Sequence, residues 1–206
     1  MKKTLLGALG LMAAGAGASL ILWSEHERDC LAVERISISS KKIQTPKRLV
    51  FLSDLHDKEF GPENVRLIKA IDRAEPDAVL IGGDMMVSKG TPGISIAVSL
   101  VEKLAKKYPV YYGNGNHENR MVWERSVYGG LYEEYRDILK KLGVIYLENG
   151  TGLLGEDVAV SGIDLRKKHY QKLFLERPRP LKKDYLYTSL GKADENRFQI
   201  LLIHSP

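Results

Sequence analysis

One cysteine, Cys30, is all the thiol this chain has, so no intramolecular disulfide framework holds it together. The charged triplet Glu27-Arg28-Asp29 ahead of it differs from the small or apolar residues that a lipid-acylated cysteine needs. Charge of one sign is also scarce. The 31 basic and 26 acidic side chains leave +5, and the basic pairs Lys41-Lys42, Lys106-Lys107, Lys167-Lys168 and Lys182-Lys183 are scattered. Nucleic-acid recognition wants a concentrated basic stripe with stacking aromatics. Aromatics are only 8% and no stripe is present, so no nucleic-acid partner is expected. The mild positive excess still favours phosphate-bearing substrates or anionic lipid. Internal repeats and low-complexity tracts are missing too. What remains is a 206-residue chain, 44% hydrophobic, of a size for one domain with a sizeable core.

The long apolar run is at the start. After a short basic tail (residues 1–3), residues 4–23 form an uncharged stretch of twenty. As a helix it would span about 30 Å, the hydrocarbon thickness of a bilayer. Lys2 and Lys3 before it, and Trp23 at its end, fit one transmembrane helix with the rest of the chain outside. A cleaved signal peptide is the alternative, because Ala14-Gly15-Ala16 and Ala16-Gly17-Ala18 offer small-x-small sites. Ser19-Leu20-Ile21-Leu22-Trp23 stays apolar past those sites, which favours a retained anchor. The expected location is the cell membrane, single-pass, with the folded domain extracytoplasmic.

Residues 24–47 read as a polar connector containing one alternating stretch, Val33 to Ser39, expected as an edge strand. From residue 48 the pattern is α/β. Arg48-Leu49-Val50-Phe51-Leu52 predicts a buried strand, Asn64 to Ala74 a helix closed by Glu75-Pro76, and Ala78-Val79-Leu80-Ile81 a second, parallel strand. A helix over Ile94 to Tyr108, a strand from Pro109, a helix over Leu131 to Leu142 and a strand Val144 to Leu147 follow. Thr151 to Leu154 and Val158 to Ile163 read as a hairpin turning at Gly155-Glu156-Asp157. Arg166 to Pro180 reads as loop or short helix, Asp184 to Leu190 as helical, and Phe198 to Ile203 as the final strand.

Four of these strands end in polar signatures: Asp54-Leu55-His56, Gly83-Asp84, Gly115-Asn116-His117-Glu118 and His204. Each alone is an ordinary turn. Together they hold three of the chain's five histidines. In parallel α/β sheets, ligand groups gather beyond the carboxyl ends of the strands. Carboxylate, imidazole and amide oxygen all suit borderline divalent ions. Within Asp54-x-His56, extended backbone would put both side chains on one face. The glycines before Asn116 would let the chain turn sharply as its strand ends.

In this order the four signatures resemble the calcineurin-like metallophosphoesterase superfamily, over residues 48 to 206, and with the apolar start they resemble its membrane-anchored bacterial members. The resemblance implies a four-layer α/β/β/α sandwich around two divalent ions, Mn, Fe or Zn. It implies Asp54 and His56 on the first metal, Asp84 bridging both, and Asn116 and His204 on the second. His117 would face substrate as proton donor or phosphate stabiliser, with Glu118 orienting it. The implied activity is hydrolysis of phosphoric esters, small or lipid-linked, by a water that two metals activate. Two departures stand out. Ser88 occupies a position, four after Asp84, that is acidic in many members, and the family's Gly-His-x-His is absent. His26 and His169 supply no pair in its place. The expectation is therefore a domain truncated at its C-terminus, with weak or no turnover. A non-catalytic, membrane-anchored module that binds phosphate ligands is the competing reading.

Overall fold

The computed structural model describes residues 30–90, 93–170 and 180–204. The chain divides into two units, residues 1–36 and 37–206, and the helices and strands described all lie in the second. The expected anchor at 4–23 lies outside the described residues. Among the described residues, no helix is long and apolar enough to cross a membrane.

The alternation at Val33 to Ser39 does not become a strand; residues 30–39 carry no ladder, and Ile38 is 67% exposed. A strand needs a hydrogen-bonding neighbour, and alternation alone does not supply one. The first strand is β1 (Leu49–Leu52). It leads through a 3-10 turn at Pro62–Asn64 into helix α1 (Val65–Ala74) and then β2 (Ala78–Ile81). Helix α2 (Ser95–Ala105) precedes β3 (Val110–Tyr112), and α3 (Asn116–Trp123), α4 (Arg125–Tyr128) and α5 (Leu131–Lys141) precede β4 (Ile145–Tyr146). These four strands form one parallel sheet in the order β1-β2-β3-β4.

A second sheet follows, in the order β5-β6-β7, from β5 (Gly150–Leu154), β6 (Val158–Ile163) and β7 (Phe198–Ile203). The expected hairpin is its antiparallel half, and β7 joins β6 in parallel. Short helices α6 (Lys167–Tyr170) and α7 (Tyr185–Leu190) lie between β6 and β7 in sequence.

The two sheets meet face to face. Ala78, Leu80 and Tyr111 from the first share a core with Leu154, Val158, Val160 and Leu202 from the second. Because strand side chains alternate, Tyr112 points the other way, where its ring meets Tyr135 of α5 edge-on at 5.9 Å. β2 is thus covered on both faces and all four of its residues are buried, which is why its sequence is a continuous apolar run rather than an alternation. β1 differs from expectation. It is an edge strand, and Phe51 is 60% exposed. β7 is an edge of the second sheet; its outward residues Leu201 and Ile203 are each more than a third exposed. Helix α5 carries Glu133 and Glu134 in its first turn and Lys140 and Lys141 in its last, matching the helix dipole.

One ion pair ties the segment before β1 to the hairpin. Asp157 accepts from the Lys47 ammonium at 2.5 Å and from the Gln44 and Thr45 amides at 2.8 and 3.4 Å. The Lys47 hydrogen bond is the main cause that holds the Asp157 carboxyl down at about 2, from an ordinary 3.8. A folded-state pKa below the unfolded one adds stability that is complete above the unfolded value and lost as pH falls through the folded value. Asp157→Asn is therefore expected to lower urea stability at neutral pH, with the gap to the parent chain closing as pH falls from about 4 towards about 2.

Candidate metal centre

The first signature is not extended. Asp54, His56 and Asp57 have φ of 56°, 52° and 59°, in the left-handed region. The expected same-face geometry of an extended Asp-x-His is therefore replaced by a tight coil. Asp and His tolerate this region better than most residues. The coil runs beside the turn after β2, with the Asp54, His56 and Asp57 amides donating to the carbonyls of Gly83, Asp84 and Met85 at 3.0 to 3.1 Å. Asp84 is itself left-handed (φ 54°), after Gly83 at 90°. Non-glycine residues held this way cost about 1–3 kcal/mol each and persist only where their surroundings fix them.

Asp84 is the centre of the site and is only 2% exposed. Its Oδ1 accepts the His117 amide at 2.8 Å. Its Oδ2 lies 3.1 Å from His56 Nε2, 3.3 Å from His204 Nε2 and 4.0 Å from His117 Nε2. Burial pushes its pKa up, but the bonds from His204, the His117 amide and His56 outweigh burial and hold the carboxyl at about 2. Conversely, the Asp84 hydrogen bond raises His204 to about 9. Asp54 is more open, 3.8 Å from both His56 Nε2 and His204 Nε2. The donor atoms fall into two triads, His56–Asp84–His117 and Asp54–Asp84–His204, each spanning no more than 4.8 Å. Asp84 is common to both.

His204 arrives from β7, so the site is assembled from both sheets rather than from one parallel sheet. Its Nδ1 is 2.9 Å from the Gly82 carbonyl. Donating that N–H leaves Nε2 as the atom turned towards Asp54 and Asp84, as a ligating histidine requires. A cation and a proton compete for that position. At Asn116 the side-chain oxygen faces Asp84 Oδ2, two acceptors 3.2 Å apart. A cation between them satisfies the pair, as does a rotated amide donating its N–H. The donor chemistry of Asp54, His56, Asp84, Asn116 and His204 thus fits divalent ions.

Gly115-Asn116-His117-Glu118 is not the loop its glycines suggest. Gly115 caps α3 and the three polar residues form its first turn. Glu118 departs from the expected role, since both of its carboxylate oxygens are taken up by partners other than the His117 ring. Oε2 accepts the Asp84 and Gly115 amides, both at 2.9 Å, while Oε1 accepts the Met85 amide at 3.2 Å and the Tyr112 hydroxyl at 2.6 Å. Tyr135 in turn donates to Tyr112. Burial raises the Glu118 pKa, and four donors satisfy both of its oxygens. It braces the turn that carries Asp84. The His117 ring is instead held by Ser88, whose amide nitrogen and Oγ each lie 2.9 Å from Nδ1. Burial lowers the His117 pKa despite the attraction of Asp84.

A second polar group lies behind the motif and was not singled out from the sequence. Asn114 donates to Tyr132 and Asp164 and accepts from Tyr146. Burial raises Asp164 to about 6. Nothing in the run Gly162-Ile163-Asp164 distinguishes it from an ordinary strand-end turn. Beside Asp54 and His204 a cleft of about 320 Å³ opens, with Phe51, Leu201 and Ile203 as its apolar wall.

Two glycines make the close approach possible. A Cβ on Gly83 would sit 2.1 Å from Gly115 N, and one on Gly115 would sit 2.2 Å from Asp84 Oδ1. Gly115→Ala is expected to leave the helical content intact in far-UV circular dichroism while abolishing Mn²⁺ binding by calorimetry. Undiminished binding would show that the approach of Gly115 to Asp84 is not required.

No curated protein matches this chain. The calcineurin-like phosphoesterase family model matches residues 47–206, a span that contains all four strand-end signatures. The chain therefore belongs to the calcineurin-like phosphoesterase family.

Proposed function

We propose that this chain is a metal-dependent hydrolase of phosphoric esters with a two-ion site, in which Asp84 bridges the ions. The observation that carries the reading is that one buried carboxylate belongs to both donor triads. The proposed division cuts across the two triads, which share only Asp84: Asp54 and His56 serve one ion, and Asn116 and His204 the other. Divalent ions there would supply Lewis acidity, acidifying a water and neutralising phosphoryl charge. The ion could be Mn, Fe or Zn, because the ligand types suit all three.

The chain's own residues do the rest. Asp84, anionic well below neutral pH, fixes the negative centre on which the cations gather. The coil at Asp54–Asp57 and the brace at Glu118 keep the ligands from spreading. His117 stands at the rim of the same carboxylate, placed to give a hydrogen bond or a proton to a phosphoryl or leaving oxygen. The apolar wall of Phe51, Leu201 and Ile203 supports an ester with an apolar group, including a lipid-linked one. That would suit a membrane tether through residues 4–23 with the domain outside.

The test compares the full chain with Asp84→Asn for metal content, and for hydrolysis of p-nitrophenyl phosphate and its bis-ester with Mn²⁺. The expected result is close to two ions per parent chain, hydrolysis of the esters, and loss of both in the variant. Metal content and rate unchanged by Asp84→Asn would overturn the bridging role. Bound metal with no hydrolysis of either ester would favour the non-catalytic phosphate-binding module.

A further inference from the structure

We propose that Ser88 is a positioning residue that fixes the tautomer of His117, so that the ring presents an N–H donor, and not a lone pair, to the site. The inference rests on the reading of His117 as the residue facing substrate. Ser88 is fully buried and has two atoms on one imidazole nitrogen: its amide nitrogen and its Oγ, each 2.9 Å from Nδ1. A peptide N–H only donates. Nδ1 must therefore carry the lone pair, and the neutral ring carries its proton on Nε2. That nitrogen is the one turned towards Asp84, 4.0 Å from Oδ2.

The Ser88 peptide is held in place from several sides. Its carbonyl accepts the Tyr128 hydroxyl at 2.9 Å and the Arg120 guanidinium at 3.3 Å, and the preceding amide, of Val87, donates to Asp57 Oδ2 at 2.8 Å. The donor pair on Nδ1 is therefore fixed by α3, by α4 and by the coil after β1. His56 meets the His117 ring edge-on, centroids 5.1 Å apart, and limits its swing on the other side. A carboxylate at position 88 would only accept and would compete with the amide for the protonation state of Nδ1. A hydroxyl donates alongside the amide. With Ser88 in place His117 acts as a neutral hydrogen-bond donor to an anionic oxygen.

The deciding measurement is the long-range ¹⁵N–¹H spectrum of the metal-free full chain labelled with ¹⁵N-histidine, at about pH 8, above the ordinary imidazole range. His117→Gln identifies the signals. The proposal expects His117 in the Nε2–H form alone; Ser88→Ala, which keeps the amide, should hold the same tautomer with its Nδ1 resonance shifted by the lost hydroxyl bond, and Ser88→Thr should return it to the parent position. With Mn²⁺ and p-nitrophenyl esters, Ser88→Ala should lower kcat about fivefold to tenfold at unchanged KM, the worth of one hydrogen bond, and Ser88→Thr should restore most of it. An Nδ1–H signal in the parent chain overturns the proposal, as does a Ser88→Ala spectrum identical to it. A parent chain with no turnover but the expected spectra counts against the hydrolase reading and leaves the positioning role standing.

Discussion

The carboxylate of Glu118 fastens the turn after β2 to the start of α3, and the rest of the site depends on that fastening. Four donors converge on it: the Asp84, Met85 and Gly115 amides and the Tyr112 hydroxyl. Three of them would otherwise be orphan amides at a helix start and a left-handed turn. With these satisfied, Gly83 and Gly115 come into contact, and Asp84 points its carboxylate at the His117 amide rather than at water. The apolar sheets serve mainly to bring this joint and His204 to one place. A buried charge with every lone pair engaged is rigid, because any movement strands a group that cannot reach solvent.

Much of the architecture was legible because burial sets the pattern of residues. The two-sided burial of β2 produces its continuous apolar run, and the turn at Gly155 to Asp157 separates two strands that do pair. Helix α1 was likewise visible from the spacing of Leu67 and Ile71. Val33 to Ser39 misled for the opposite reason. Its alternation is a local property, whereas a ladder needs a partner that the local sequence does not name. Which sheet β7 would join was unreadable for the same reason.

At the site, the identity of the polar residues was legible and their backbone was not. Asp54, His56, Asp84, Asn116, His117 and His204 do converge, yet extended geometry was the wrong reason for the first pair. The chain coils there, and Asp, His and Gly are residues for which such a coil is least costly. Gly113-Asn114-Gly115 concealed a helix start. The clue available was Glu118, three residues after a glycine cap, which is half of a capping box. Its further bonds to Asp84 and Met85 join positions more than thirty apart in sequence. Ser88 was visible only as a departure from an acidic pattern, and its contact with His117 depends on the path of the whole loop.

The left-handed coil has a further meaning for anyone seeking a sturdier variant. Sorted by backbone strain, Asp54, His56 and Asp84 would stand beside Glu63, Asn64, Glu75 and Asn149 on any list of positions to replace with glycine, since each would relax at once. Replacing any of the first three would also delete a candidate ligand. Thermal robustness and metal chemistry thus draw on the same few backbone angles, and selection for one alone would erode the other. Asp57 stands apart. It shares the strain but is not a candidate ligand, and its carboxylate instead holds the Val87 amide that leads to Ser88.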